Sequence, residues 1–389
     1  MPVCIVKSNL HIGDQKVTSL SNATPAASED AAGGGAERPP LRASGAAADP
    51  RSRPTMRHVA ALAGVGVKTV SRVINGEPNV SAATIAKVTA AARTLDYQPD
   101  LHAGNLRRAD GRTRTLGLLV GSVDNPFAGA VHRAVEDVAL RHGVAVFASS
   151  LDDDPDREQE AVHAFLRRRV DGLILTTVSQ SQAYLAPELR RGTPVVFVDR
   201  EPAGITSDAV VSDNAEGAAI ATRHLLERGH RRLAYVGDRP VIQTARERRR
   251  GFLEELGRAG VATRDVPVLE GLHDEESARA ATLALFDSSN PPTAIFGSQN
   301  LVTIGVIRAL RELGRQHDTA LVGFDDVPLG DLLEPGVTVV AQDPQAIGRI
   351  AAERVFARLD GDHSPASRTI VPTRLIERGS GELPPRQEG

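Results

Sequence analysis

"AGVGVKTVSRVIN", residues 63–75, decides the architecture of the front of this chain. A helix ending in Ala-Gly, a three-residue turn and a second short helix with one polar face form a helix-turn-helix arrangement. Gly64 suits the tight turn, because a Cβ there is expected to obstruct the close crossing of the two helices. The spacing predicts that the second helix runs from about Val67 to Ile74, buries Val70, Val73 and Ile74, and stops at Asn75-Gly76. Val67, Lys68, Thr69, Ser71 and Arg72 are then left at its start and on its outer face. Lys and Arg can donate to guanine O6 and N7, a Val or Thr methyl can touch thymine, and hydroxyls suit phosphates. A solvated helix on an ordinary α-helical domain has the same spacing, so both readings stay open at this point. A Walker phosphate loop does not fit, since Val67 precedes the lysine where that motif needs glycine.

The flanking sequence extends the pattern. Thr55 can N-cap a helix carrying Val59, Leu62 and Ala63 on one face, and Ser81 can cap a third with Ile85, Val88, Ala92 and Leu95 on one face. Three helices this short make a marginal core. Residues 55–114 carry nine Lys/Arg against four Asp/Glu, a balance of +5 within a chain of net charge −3, so residues 115–389 form an acidic body. A basic segment on an acidic body suggests a nucleic-acid-binding head. Residues 1–54, rich in Ala, Gly, Pro and Ser, have almost nothing to form a core and are expected to be a disordered tail.

From residue 115 the texture changes. Apolar runs such as "LGLLVG", "GLILTT", "PVVFVD", "TAIFG" and "TALVGFD" alternate with amphipathic stretches, the pattern of parallel strands covered on both faces by helices. The length favours two similar α/β lobes with a cleft between them. Ligands of such proteins sit at the carboxyl ends of strands, and Asn125, Asp199, Asn300 and Asp325 all follow apolar runs. Their amides and carboxylates suit the hydroxyls of a sugar-like ligand.

Several classes are disfavoured. No apolar run reaches the roughly 18 residues of a membrane span, and no basic start precedes an apolar segment as in an export signal. The single cysteine, Cys4, supports neither a disulfide framework nor a Cys-based zinc site, and a reducing cytoplasm is the expected location. "LDDDPDREQE" (151–160) lacks the glycine and later glutamate of a calcium loop and reads as an acidic helix N-terminus. Without HExxH or GxSxG, hydrolase chemistry has no support. No catalytic residue, metal or cofactor is expected.

The segment "TMRHVAALAGVGVKTVSRVINGEPNVSAATIAKVTAAARTLDYQPD" (55–100) resembles the head of the lactose/galactose-repressor (LacI/GalR) family of bacterial transcription regulators. The resemblance continues through "NPF" (125–127), "RRRVDGLIL" (167–175), "PVVFVDR" (194–200), "HLLERGHRRLAYVG" (224–237), "RERRRGF" (246–252), "TAIFG" (293–297) and "VGFDD" (322–326), so it covers about residues 55–380. It implies a helix-turn-helix head at 55–99, a hinge at 100–114 and two periplasmic-binding-protein-like lobes. Lobe 1 would hold about 115–213 and 343–371, lobe 2 about 214–342 and 372–380, with a tail at 381–389.

By the same resemblance Val67, Lys68 and Arg72 read bases. Thr69, Ser71, Asn75, Asn79, Ser81 and Tyr97 anchor phosphates or brace the head, although Ser81 suits a helix N-cap better on physical grounds. Leu106 would wedge into the minor groove from a hinge helix, at a cost of a few kcal/mol of unstacking offset by added contacts; a plain basic linker is the alternative. Asn125, Phe127, Asp199, Arg246, Asn300, Asp325 and Gln342 would contact the effector, Arg246 being chosen from its arginine-rich run for its place five residues before Gly251. Each has a bland alternative: the aspartates as turn caps or ion-pair partners, Phe127 as core, the arginines as a solvated helix face. The implied protein is a homodimeric repressor of operator DNA responding to a small molecule. A solute-binding protein or an α/β enzyme acting on sugars or nucleotides are the other readings. Departures from the family pattern are His58 for an acid, Gly66 for a capping serine, Ile85 and Gly104 for arginines, and Gln299-Asn300 for Asn-Asp.

Overall fold

A computed structural model describes residues 53–98 and 111–386; most of the expected N-terminal tail, with Cys4, and the hinge residues Gly104 and Leu106 lie outside the described residues. The head contains α1 (Met56–Ala63), α2 (Val67–Ile74) and α3 (Ala82–Thr94). At the start of α1, His58 Nδ1 accepts the Thr55 backbone N–H at 3.3 Å, so an imidazole holds the free donor that an acidic side chain would otherwise take. Gly64 ends α1 at φ 66°, in the left-handed region that favours glycine. No atom lies within 4 Å of where its Cβ would be, so backbone conformation demands the glycine, not the expected crowding between helices.

Val59, Ala60, Val70, Val88 and Ala91 form the head core, with Val73, Ile74, Ala92, Leu95 and Tyr97 packed at its margin. Two apolar residues expected inside are not: Leu62 is 52% and Ile85 43% exposed. Helices this short cover only the central stripe of one another, and both residues lie at its edges. Ser81 caps α3 as its spacing predicts, accepting the Thr84 N–H at 3.3 Å, whereas Gly66 gives α2 no side-chain cap.

The body follows as β1 (Thr115–Val120), α4 (Pro126–Arg141), β2 (Ala145–Ser150), α5 (Pro155–Arg167), β3 (Gly172–Leu175), α6 (Ala186–Arg190), β4 (Val195–Val198) and β5 (Asp208–Ser212). Next come α7 (Asn214–Glu227), β6 (Leu233–Val236), α8 (Gln243–Arg258), β7 (Val268–Leu269), α9 (Glu275–Phe286), β8 (Ala294–Gly297), α10 (Asn300–Glu312), β9 (Ala320–Phe324) and β10 (Thr338–Ala341). The body ends with α11 (Pro344–Leu359), β11 (Arg368–Val371) and β12 (Arg374–Ile376).

These strands make two six-stranded sheets. The first, ordered β11-β5-β4-β3-β1-β2, is parallel throughout. The second, β12-β10-β9-β8-β6-β7, is parallel except for the antiparallel edge strand β12. Each sheet carries an apolar cluster on both faces, which is why β3, β4, β6, β8, β9 and β10 are buried along their whole length. The chain passes between the sheets after β5, after β10 and again after β11. Loops following the strands of both sheets meet in one cleft.

Candidate functional sites: the helix face and the cleft

On the head, α2 presents Val67 and Lys68 exposed at its first turn, Arg72 exposed one turn later, and Thr69 and Ser71 partly covered. Arg72 is steadied from its own C-terminal side: Nη2 donates to the Pro78 carbonyl at 3.2 Å and Nε lies 3.4 Å from Glu77. Asn75 donates to Ser71 Oγ at 3.4 Å, Asn79 adopts φ 71°, and Tyr97 packs partly buried against the core. A cationic and hydroxyl-bearing face on a helix held by its other face can enter a major groove.

In the body, a cavity of about 360 Å³ opens between the sheets, within the range of roughly 300–1,000 Å³ usual for small-molecule sites. Asn125, Phe127, Asp199, Asp325 and Gln342 line it. Asn125 caps α4, its Oδ1 accepting the Phe127 N–H at 3.0 Å. Asp199 and Asp325 end β4 and β9 at φ 67° and 66°, so the two lobes contribute equivalent strand-end carboxylates. Gln342 donates to Asp325 at 2.7 Å. Burial pushes both carboxyls above the usual carboxylate range, against the pull of Arg200 and Arg248 on Asp199, and of Arg248 and Gln342 on Asp325.

Two expected contacts are placed differently. Arg246 is exposed and donates to the carbonyls of Pro240 and Val241 outside the cavity, at 2.9 and 2.7 Å. Arg248 is the arginine inside. It is 5% exposed, donates to Asn214 Oδ1 and the Ser298 carbonyl at 2.8 Å each, lies 3.7 Å from Asp325, and stacks over Phe324 at 3.8 Å. Residues two apart on a helix point about 200° away from each other, so α8 cannot turn both inward. The buried stripe Ala245, Arg248, Phe252, Glu255 and Leu256 chooses Arg248, a signal already present in the spacing of Phe252 and Leu256.

Asn300 is likewise not in the cavity wall. Its amide meets that of Asn125 across the cleft, donating at 2.9 Å and accepting at 3.3 Å, while Gln299 lines the cavity. The reason is local: Gln299 caps α10 and Asn300 is its first residue, so consecutive side chains diverge.

The acidic run 151–160 does more than open a helix. Asp154 caps α5 as the helix-start reading predicts, accepting from the Asp156 and Arg157 N–H groups. Its neighbour Asp153, at φ 53°, turns into the cleft and sits 2.9 Å from Arg200 and 2.7 Å from Arg239 of the opposite lobe. Burial raises the Asp238 carboxyl, which faces the same space. Asp153, Arg239, Asp238 and His273 gave no sequence signal, because each is recognisable only once strands far apart in sequence are brought together. The arrangement offers carboxylate and amide acceptors, guanidinium donors and one aromatic wall, a lining suited to binding a polyhydroxy ligand. No helix among the described residues is long and apolar enough to cross a membrane.

Comparison with known proteins agrees with both halves. Residues 55–100 match the model of bacterial regulatory proteins of the lacI family, and residues 222–381 match a periplasmic binding protein-like domain. The chain is 36% identical over 338 residues to the HTH-type transcriptional regulator PtxS of Pseudomonas aeruginosa, covering 85% of this chain and 96% of that protein. The lac repressor dimer bound to operator and the anti-inducer ONPF superposes with a TM-score of 0.76 at 26% identity, covering 85% of this chain and 99% of that one. The complex of the transcriptional regulator CelR with cellobiose gives a TM-score of 0.62 at 31% identity, covering 84% and 100%. Helix-turn-helix head, paired parallel sheets and similarity over 85% of its length together place this chain in the LacI/GalR family of bacterial transcription regulators.

Proposed function

We propose that the protein is a cytoplasmic, homodimeric transcription repressor whose operator affinity is set by a sugar-like molecule bound between the lobes. The observation that carries this reading is the pairing, in one chain, of an exposed basic and hydroxyl helix face with a polar interlobe cavity. The head at 55–99 reads half of a near-palindromic site, because a two-fold dimer imposes its symmetry on the DNA it binds. Val67, Lys68 and Arg72 supply base contacts; Thr69, Ser71, Asn75, Asn79 and Tyr97 hold phosphates or brace the helix, and Leu106 provides the minor-groove wedge.

In the body, lobe 1 comprises about 115–213 and 343–371, and lobe 2 about 214–342 and 372–380. The ligand is held by Asn125, Phe127, Asp199, Asp325 and Gln342, with Arg248 in the role first expected of Arg246 and Gln299 in that of Asn300. The cleft binds without turning its ligand over: its charged groups are engaged in ion pairs with one another, and the relatives of the chain are regulators. The cellobiose complex of CelR supports a saccharide ligand. To move occupancy strongly, that ligand must favour one lobe arrangement over the other by several kcal/mol.

The test has two arms. Selection from a random duplex library should enrich a near-palindromic site, and mobility shift should show preference for it over competitor. A thermal-shift screen of D-ribose, D-galactose, cellobiose and nucleobases should find a stabilising ligand by mass action. Equal affinity for all duplexes refutes the regulator, whereas duplex preference without any ligand response refutes only its control by a small molecule.

A further inference from the structure

We infer that α4 and α11 form a strut carrying the state of the cleft to the chain that enters the core, with Arg112 as its positioning residue. The inference rests on the regulatory reading above. Both helices begin at the cleft. α4 is capped by Asn125, which meets Asn300 of the other lobe, and α11 starts two residues after Gln342, whose amide donates to Asp325 at 2.7 Å. The passage from β10 to α11 is also one of the three places where the chain changes lobe, so relative motion of the lobes pulls directly on the α11 N-terminus.

The pair is stiff. A Cβ on Gly348 would lie 2.5 Å from the Val131 carbonyl oxygen, so the two backbones touch mid-helix. At the far end the His142 ring, just after α4, stacks on Phe356 of α11 with centroids 3.8 Å apart and planes 7° apart. Sixteen residues at 1.5 Å each make α11 about 24 Å long.

The far end of α11 is where the incoming chain is fastened. Arg112 Nη2 donates to the Leu359 carbonyl and Nη1 lies 3.3 Å from Asp360, so a guanidinium caps the free carbonyls of the helix C-terminus. Asp171, at the entry to β3, accepts the Thr113 and Arg114 N–H groups, one on each carboxylate oxygen, at 2.7 Å apiece. Arg112 therefore passes a shift of α11 into the segment 112–114, whose following backbone Asp171 holds to the β3 entry, immediately before the first strand of the core.

A covalent lobe lock tests this without knowledge of the effector. In a Cys4→Ser background, Asn125→Cys and Asn300→Cys are bridged with bismaleimidoethane, and affinity for the library-selected duplex is compared before and after bridging. Bridging should change the Kd of this parent at least tenfold. Adding Arg112→Ala or Asp360→Ala should cut that ratio below threefold. The two changes alter charge in opposite directions, so a simple electrostatic effect on DNA would move the absolute affinities apart and leave both ratios intact. Arg264→Ala, at a side chain 86% exposed, removes the same charge elsewhere and should keep the parental ratio.

Hydrogen exchange supplies a readout independent of DNA: the Thr113 and Arg114 amides should change protection on bridging in the parent and not in Arg112→Ala. Parental ratios retained within twofold in both variants, or unchanged amides in the parent, overturn the strut. Failure of every form to prefer any duplex refutes the regulatory reading itself, and the strut falls with it.

Discussion

The head and the cleft hold their functional side chains in opposite ways. On α2 the candidate DNA-reading residues stand in solvent, Val67 43% exposed, and are positioned by a helix whose other face is pinned through Val70. In the cleft, Arg248 is 5% exposed and its contacts come from three separate segments: Asn214, Ser298, and the adjacent Phe324 and Asp325. An exposed recognition face can be altered one residue at a time with local consequences. A buried polar network fails as a unit, because removing one partner strands the others away from water.

Substitution at Arg248 should break the contrast most visibly. Arg248→Ala takes the donor from Asn214 Oδ1 and the Ser298 carbonyl, leaves the buried Asp325 carboxyl with Gln342 but no counter-charge, and should cost about 3–5 kcal/mol of stability, together with any ligand-induced rise in Tm. Arg246→Ala, two residues away on the same helix, should stay within about 0.5 kcal/mol in denaturant titration. Equal losses at the two positions would show that the cleft does not depend on Arg248.

Arg72→Ala should leave folding stability nearly unchanged, since its pairing with Glu77 is exposed and worth at most about 1 kcal/mol. Binding should weaken by about 1–3 kcal/mol and selectivity relax at one base pair, measured across a set of operator variants. Uniform weakening at every position would make Arg72 a phosphate contact instead.

Ser81→Ala tests how much the marginal head depends on one cap. Loss of the bond to the Thr84 N–H should cost about 1 kcal/mol of head stability, seen as faster amide exchange in the first turn of α3. The body should not respond.

The smallest effect is in pH dependence. Burial raises the folded-state pKa of Asp199 above its ordinary 3.8, so the native state keeps a proton that the unfolded chain releases. That contribution is fully present below pH 3.8 and disappears as the pH climbs through the raised value. Asp208 behaves oppositely: Arg358, Ser367 and Arg354 outweigh its burial and hold it low, and its stabilisation is lost on acidification below the ordinary pKa. Asp199→Asn should therefore gain stability relative to wild type on going from pH 4 to pH 7, and Asp208→Asn should lose it on going from about pH 2 to pH 4, the range below the ordinary pKa. Parallel pH profiles for the two variants would contradict the assignment.

How much of this was legible in advance depended on whether a position is fixed by its own helix or by distant strands. The turn at Gly64, the cap at Ser81, the extent of α2 and the alternation of apolar runs with amphipathic helices follow from residue type and period. Leu62 and Ile85 show the limit: the helical period puts them near the inner face, and the small size of the head leaves them outside. In the cleft, Asp199 and Asp325 were visible as polar residues closing apolar strands, and Arg248 was discoverable from the stripe through Phe252 and Leu256. Asp153 was not, because its partner Arg239 lies 86 residues away and nothing in a decapeptide of acids says which one turns toward it.

The sequence by itself determined which segments are helix or strand, the polarity of each exposed face and the family to which the whole pattern belongs. The first two depend on neighbours within a few residues, and the third on the order in which such short patterns follow one another along the chain. Tertiary structure alone decided which carboxylates and guanidiniums meet across the cleft, which of two arginines two positions apart is buried, and that the helix leaving the cleft ends on Arg112. Such choices are made by the packing of two sheets that exchange chain three times, and electrostatic pairing at 3 Å depends on that packing, not on distance along the chain.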